Sequence, residues 1–264
     1  MDIRLHKSYK ILVIGESCTD LYRFGKCTRL SAEAPVPILL QERSESKPGM
    51  AANVALNIKS LGHIPRHIAN NSAIIKERFI AEGVSGSPQQ VLRIDSNDRC
   101  DPVEESLIND IISSEQFDAT VISDYNKGFL PINILAKILP HLPGPIFVDS
   151  KKTDLSVFEN CILKINEAER ESALVLPETC ELITTLGERG ASWRDKIYPA
   201  KKIQDVFDVC GAGDSFLAGL ALKFVETNDM IKSVEFANIC AGISVRYLGV
   251  HNVTPEDIDS VLAN

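Results

Sequence analysis

From residue 101 onward, short apolar runs alternate with stretches of helical periodicity, and no other feature restricts the fold of the chain as much. The spacing predicts helices over 102–113 and 131–139, and strands over 119–123, 145–148, 161–165 and 181–185. A hairpin is expected around Gly190, followed by helices over 213–226, 230–247 and 255–262. Strands that alternate with helices build a mostly parallel sheet covered on both faces. The N-terminal part opens the same way. Residues 10–14 read as a buried strand ending at Gly15. Residues 49–61 carry Val54, Ala55, Ile58 and Leu61 at helical spacing and stop at Gly62, a suitable C-terminal cap. Stretches 36–41, 74–81 and 90–94 break the alternation, the last two joined by the turn-rich 83–88. They predict a small β-layer, over about residues 20–45 and 74–95, projecting from a single α/β domain that spans 1–264.

A chain of 264 residues buries a sizeable core without staples. Its net charge of −8 and lack of a basic stripe argue against a nucleic-acid partner. The seven cysteines are odd in number and never spaced C-x-x-C, so reduced thiols in a reducing compartment are expected. The five histidines form no metal-binding cluster. No apolar run approaches the length of a membrane span, and the first one is too short for the core of a signal peptide. These features predict a cytoplasmic protein with no membrane partner.

The chemistry concentrates in Asp208-Val-Cys-Gly211-Ala212-Gly213-Asp214-Ser-Phe216. Two glycines precede an amphipathic helix, whose first backbone N–H groups lack internal partners and, with the helix dipole, attract an anion. Glycine lets a phosphate approach the backbone closely. Asp214, at the very start of the helix, is placed to take a proton from a hydroxyl attacking that phosphate. It needs no raised pKa, because in a loose transition state the proton leaves late. Alone, the string is equally a tight helix entry whose acid stabilises the first turn.

Further pieces resolve that ambiguity. Asp208 to Asp214 matches D-x-x-G-A-G-D, Asn166-Glu-Ala-Glu169 matches N-x-x-E, and Thr185-Leu-Gly187-Glu-Arg-Gly190 matches T-x-G-x-x-G, in that family's order. The chain thus resembles the ribokinase-like (PfkB) carbohydrate kinases. Arg29–Pro37, Gly49-Met-Ala-Ala-Asn53, Gln89–Asp95, Ser123-Asp124-Tyr125-Asn-Lys127-Gly128 and Val148-Asp149-Ser-Lys151 resemble the branch that phosphorylates D-glycero-D-manno-heptose 7-phosphate. The resemblance runs from about Lys10 to Asp257.

It implies a ribokinase-like α/β fold with a β-lid, ATP and Mg²⁺ as cofactors, and a monovalent cation as an optional one. It also implies a small sugar phosphate as substrate and a homodimer formed through the lid. Asp214 becomes the catalytic base, with Gly211, Ala212 and Gly213 as the anion hole. Lys151, Asn166, Glu169, Thr185, Gly187, Gly190, Asp208 and Asn238 fall to the nucleotide, Glu169 reaching Mg²⁺ through water. Asp20, Gly49, Asn53, Lys76, Arg78, Asp124 and Lys127 fall to the sugar. For Lys76 and Arg78, a solvated, charge-guarded edge strand is the alternative. For Lys127 and Lys151 it is a surface salt bridge.

Three substitutions depart from the family pattern: Met50 for the second glycine of a Gly-Gly pair, Glu16 for Asp, and Ala32 for Pro. A deletion departs further. After Gly62 the family runs through a strand, a glycine-rich turn and a helix, whereas here 63–73 leads almost directly to Lys76. About one βα unit, on the order of 30 residues, is expected to be missing. The favoured reading is a heptose 7-phosphate 1-kinase of ADP-heptose biosynthesis. A kinase for another sugar or nucleoside, or a non-catalytic nucleotide- or sugar-binding homologue, are the alternatives.

Overall fold

A computed structural model describes residues 7–82, 88–201 and 206–263. Its frame is an eight-stranded sheet of β1 (Lys10–Gly15), β4 (Ile64–Ile68), β7 (Ala119–Asp124), β8 (Ile146–Ser150), β9 (Ile162–Asn166), β10 (Glu181–Thr185), β11 (Ala191–Trp193) and β12 (Lys196–Tyr198). The strand order is β12-β11-β10-β9-β8-β7-β1-β4. Pairing is parallel from β4 to β10, and the β10–β11–β12 meander is antiparallel.

The central strands are apolar on both faces, as a doubly covered parallel sheet requires. In β1, Ile11 and Val13 pack with helices α1 (Ala51–Ser60), α5 (Ala212–Thr227) and α6 (Met230–Ser244). Leu12 and Ile14 point the other way, towards α2 (Glu105–Ser114) and α3 (Ile132–Ile138). The same alternation splits Val121 from Ile122 and Phe147 from Val148. Two short helices, α4 (Glu167–Ser172) and α7 (Pro255–Leu262), complete the body. Among the described residues no helix is long and apolar enough to cross a membrane.

The expected β-layer is a four-stranded sheet ordered β3-β2-β5-β6, from β2 (Ser17–Leu30), β3 (Pro37–Met50), β5 (Ile74–Ala81) and β6 (Gln89–Ser96). It is longer than the sequence pattern suggests. Strand β2 buries Cys18, Asp20, Tyr22 and Phe24 on one face, and the buried Asp20 disguises the alternation. Strand β3 is exposed over most of its length and is held by backbone pairing to β2, so its side chains carry no signal. The turn expected at 83–88 lies, but for Pro88, outside the described residues.

Two expectations change. Helix α1 starts at Ala51 rather than Gly49, because Gly49 and Met50 still pair with Cys18 and Ser17. No strand was expected between Gly62 and residue 74, but β4 is present beside β1, and only residues 69–73 link it to β5. Pro65 in β4 is tolerated because β4 is an edge strand.

Candidate active site

Strands β1, β7, β8, β9 and β10 all end on one side of the sheet, where crevices of open α/β sheets form. A cavity of about 1030 Å³ opens there, between the strand ends and the N-terminus of α5. Tyr125, Asp149, Lys151, Lys164, Asn166, Thr185, Gly187, Gly190, Asn238 and the run Gly211–Asp214 line it.

Gly211 caps α5 at φ 80°, a backbone conformation that favours glycine, and a Cβ there would lie 2.8 Å from Asn53 Nδ2. Asp208 shapes the approach. Its Oδ1 accepts from the Cys210 N–H at 3.0 Å and its Oδ2 from the Gly249 N–H at 3.0 Å. Asp208 is therefore a brace for the helix entry and does not line the cavity.

Asp214 is only 5% exposed. Asn53 Nδ2 donates to its Oδ2 at 2.8 Å, and the Tyr125 hydroxyl donates to its Oδ1 at 2.8 Å. Burial pushes its carboxyl up to about 6, against the lowering effect of those two bonds and of Lys164. The mechanism requires no raised pKa, but burial supplies one of about 6, in the range useful to a general base.

Lys151 bridges Asp149, at 3.0 Å, and Glu169. Burial works against its charge, but the two carboxylates raise its pKa. Lys164 is almost fully buried and pairs with Asp149 at 2.5 Å. Its Nζ stands 2.9 Å from where a Gly213 side chain would begin, so only glycine fits there without moving the cation. The Asn166–Glu169 pair forms a reciprocal capping box on α4. Asn238 donates to the Tyr198 carbonyl at 2.8 Å, tying α6 to β12 at the cavity wall.

Among the described residues no three His, Cys, Asp or Glu side chains are grouped to hold a metal directly. A phosphate-bound Mg²⁺ keeps several waters and needs only one or two hard oxygen donors. Asp149 and Asn166 on the cavity wall are such donors, with Glu169, off the wall, bonded to Lys151 and the Asn166 N–H, so the residues fit that ion.

The residues expected to hold the sugar are arranged differently. Asp20 and Arg78 form an ion pair with both side chains buried. Strand β5 is an interior strand of the lid sheet, so Arg78 is no solvated edge residue. A Cβ on Gly49 would meet Asp20 Oδ2 at 2.1 Å, so this glycine makes room for that carboxylate. Lys76 Nζ lies over the Tyr125 ring at 5.4 Å, beside the cavity.

The structure does not bring Asp124 or Lys127 to the cavity. Asp124 is fully buried and held by Lys152 at 2.9 Å and Ser150 Oγ at 2.6 Å. Lys127 pairs with Asp98 at 2.5 Å. Glu16, noted in the sequence only as a departure, anchors the loop after β7. Its carboxylate accepts from the backbone N–H of Tyr125, Lys127 and Phe129 at 2.8, 2.9 and 3.2 Å. Tyr125, Lys164 and Glu16 are the residues that sequence reasoning passed over. A lysine inside the apolar run Ile162-Leu-Lys-Ile165 was the available signal for Lys164.

Residues 160–257 match the model of the pfkB family carbohydrate kinases. That segment is of the pfkB carbohydrate kinase type. A bifunctional protein HldE of Helicobacter acinonychis is 30% identical over 96% of this chain and 66% of its own length. The HldE protein of Klebsiella pneumoniae is 28% identical over 96% of this chain. The chain spans 63% of that relative's length. Solved structures share the fold. Phosphofructokinase-2 of Escherichia coli superposes with a TM-score of 0.75 at 16% identity, covering 98% of this chain and 99% of its own. Ribokinase of Thermotoga maritima superposes at 0.70 and 18%, covering 97% and 100%.

Proposed function

We propose that the chain is an ATP-dependent sugar kinase and that its acceptor is D-glycero-D-manno-heptose 7-phosphate, phosphorylated on the anomeric hydroxyl. The observation that carries the kinase reading is a buried acid poised near neutrality at a glycine-lined helix N-terminus, on the floor of a cavity of about 1030 Å³. The HldE relatives support the heptose acceptor.

In this reading the nucleotide lies along Thr185, Gly187, Gly190 and Asn238. Its phosphates face Lys151, Lys164 and the Gly211–Gly213 amides. Asp214 orients the acceptor hydroxyl and takes its proton, while the amides and lysines neutralise charge as it develops. Glu169 and Asn166 would hold Mg²⁺, which when bound would supply charge neutralisation on the phosphates. Lys76 is the cation available to an acceptor phosphate. The exposed apolar residues Leu40, Leu92 and Ile94 of the lid sheet support a homodimer formed there.

A second reading, a kinase for a different sugar or nucleoside, is favoured by the Asp20–Arg78 pair. It engages two expected sugar contacts with each other. ADP release from Mg·ATP, measured with the heptose phosphate and a panel of other sugars and nucleosides, separates the two readings. Turnover confined to another acceptor discards the heptose assignment. No turnover on any acceptor discards the kinase reading.

A further inference from the structure

Both oxygens of Asp214 are engaged, but by different kinds of partner. Asn53 approaches Oδ2 from α1 and does not line the cavity, whereas Tyr125 lines it and donates to Oδ1. An acceptor hydroxyl entering from the cavity therefore meets an oxygen already occupied by a phenol. The phenol is firmly placed. Glu16, itself buried, fixes the Tyr125 backbone N–H at 2.8 Å, and Asn126 turns the chain at φ 56° immediately after it. Two cations stand over the ring. Lys76 of the lid is 5.4 Å from the ring centroid and Lys151 of the body is 5.6 Å from it.

We propose that Tyr125 is a positioning residue whose hydroxyl holds the cavity-side oxygen of Asp214 until an acceptor hydroxyl displaces it, so that water is not activated against the bound nucleotide. The inference rests on the kinase reading above. A kinase whose base faces a wet cavity hydrolyses its nucleotide unproductively, and a tethered hydroxyl in the acceptor's place prevents this. The charged and titratable groups acting on Asp214 are Tyr125, Asp149 of β8, Lys164 of β9 and Cys18 of β2. The Tyr125 bond is one that a single oxygen deletion removes.

The test is Tyr125→Phe, which keeps the ring and its two cations. Three quantities are read on the full chain: ATP hydrolysis without acceptor, KM and kcat for the acceptor, and the titration midpoint of Asp214 by carboxyl ¹³C NMR, assigned with Asp214→Asn. Loss of a neutral-donor bond predicts acceptor-free hydrolysis faster by about three- to tenfold, and an acceptor KM lower by a similar factor. The Asp214 midpoint moves to higher pH. Unchanged hydrolysis and KM, in a variant that melts like the wild type and beside a wild type active on an acceptor, overturn the inference and leave the kinase reading standing. An unchanged midpoint overturns it whether or not turnover is seen. A wild-type chain that phosphorylates no acceptor removes the kinase reading itself.

Discussion

The nucleotide side and the acceptor side of this molecule use similar residues in opposite ways. On the nucleotide side, charged groups pair and still face the cavity: Lys151 and Lys164 neutralise Asp149 and Glu169, yet both lysines remain on the wall. On the acceptor side the pairs close on themselves. Asp20 takes Arg78, Asp124 takes Lys152, and Lys127 takes Asp98. The supports differ in part. The nucleotide-side groups stand on short strands of a sheet packed on both faces, which fixes their direction. Of the acceptor-side groups, Asp20 and Arg78 stand on the lid sheet, whose outer strands β3 and β6 are exposed, while Asp124 ends β7 of the body and Lys127 follows it.

Substitutions can break that contrast. Asp214→Asn should lower kcat by about 10²- to 10⁴-fold, as removal of a general base does, while nucleotide binding by calorimetry stays close to wild type. Loss of nucleotide binding instead would make Asp214 a structural group. Arg78→Ala leaves Asp20 buried without a counter-charge and should cost about 3–5 kcal/mol in urea unfolding. Adding Asp20→Asn should recover much of that loss. If Arg78→Ala unfolds like the wild type, the acceptor-side pair is not closed in solution.

The pH dependence sharpens the same point. Asp214 acts as a base only when ionised, and its carboxyl sits at about 6. The rate should therefore be level above that value and fall roughly tenfold per pH unit below it. An acid limb near pH 4, the ordinary carboxylate range, would show that burial does not govern this group.

Met50 tests the joint between the two regions. It adopts φ 59° and packs its side chain with Cys18 and Ile74. Met50→Ala keeps the unfavourable backbone and loses the packing, and should destabilise by about 2 kcal/mol or more. Met50→Gly relieves the backbone and should be the more stable of the two by about 1 kcal/mol. Equal melting points for the two variants would mean that the left-handed turn costs nothing. Lys127→Ala, at a partly exposed pair, should change stability by less than about 1 kcal/mol.

Much of the body was legible because alternation of apolar residues and glycine-led helix starts is written in side chains. The strands 10–14 and 181–185, the hairpin at Gly190 and the terminal helix 255–262 all form where the pattern placed them. Strand β3 was half hidden, since most of its side chains are exposed and give no apolar periodicity to read. Strand β4 was missed because Pro65 and charged neighbours disguise a short edge strand. In the candidate site, the glycines and Asp214 were legible from local spacing. Tyr125 was not, because its partner lies 89 residues further along the chain. Glu16 was legible only as an odd residue, since what it holds is a loop more than a hundred residues away.

The lid strands are rooted in the body almost without loops. Only Glu16 separates β1 from β2, and β3 runs into α1 with no residue between them. A 14-residue strand reaches up to about 45 Å. It is therefore a long lever on a very short axle: a turn of about 5° at Ser17 would carry the far end, at Leu30, through about 4 Å. Small adjustments beside the strand ends are in this way magnified at the outer rim of the sheet, where Leu30 and Leu40 face solvent.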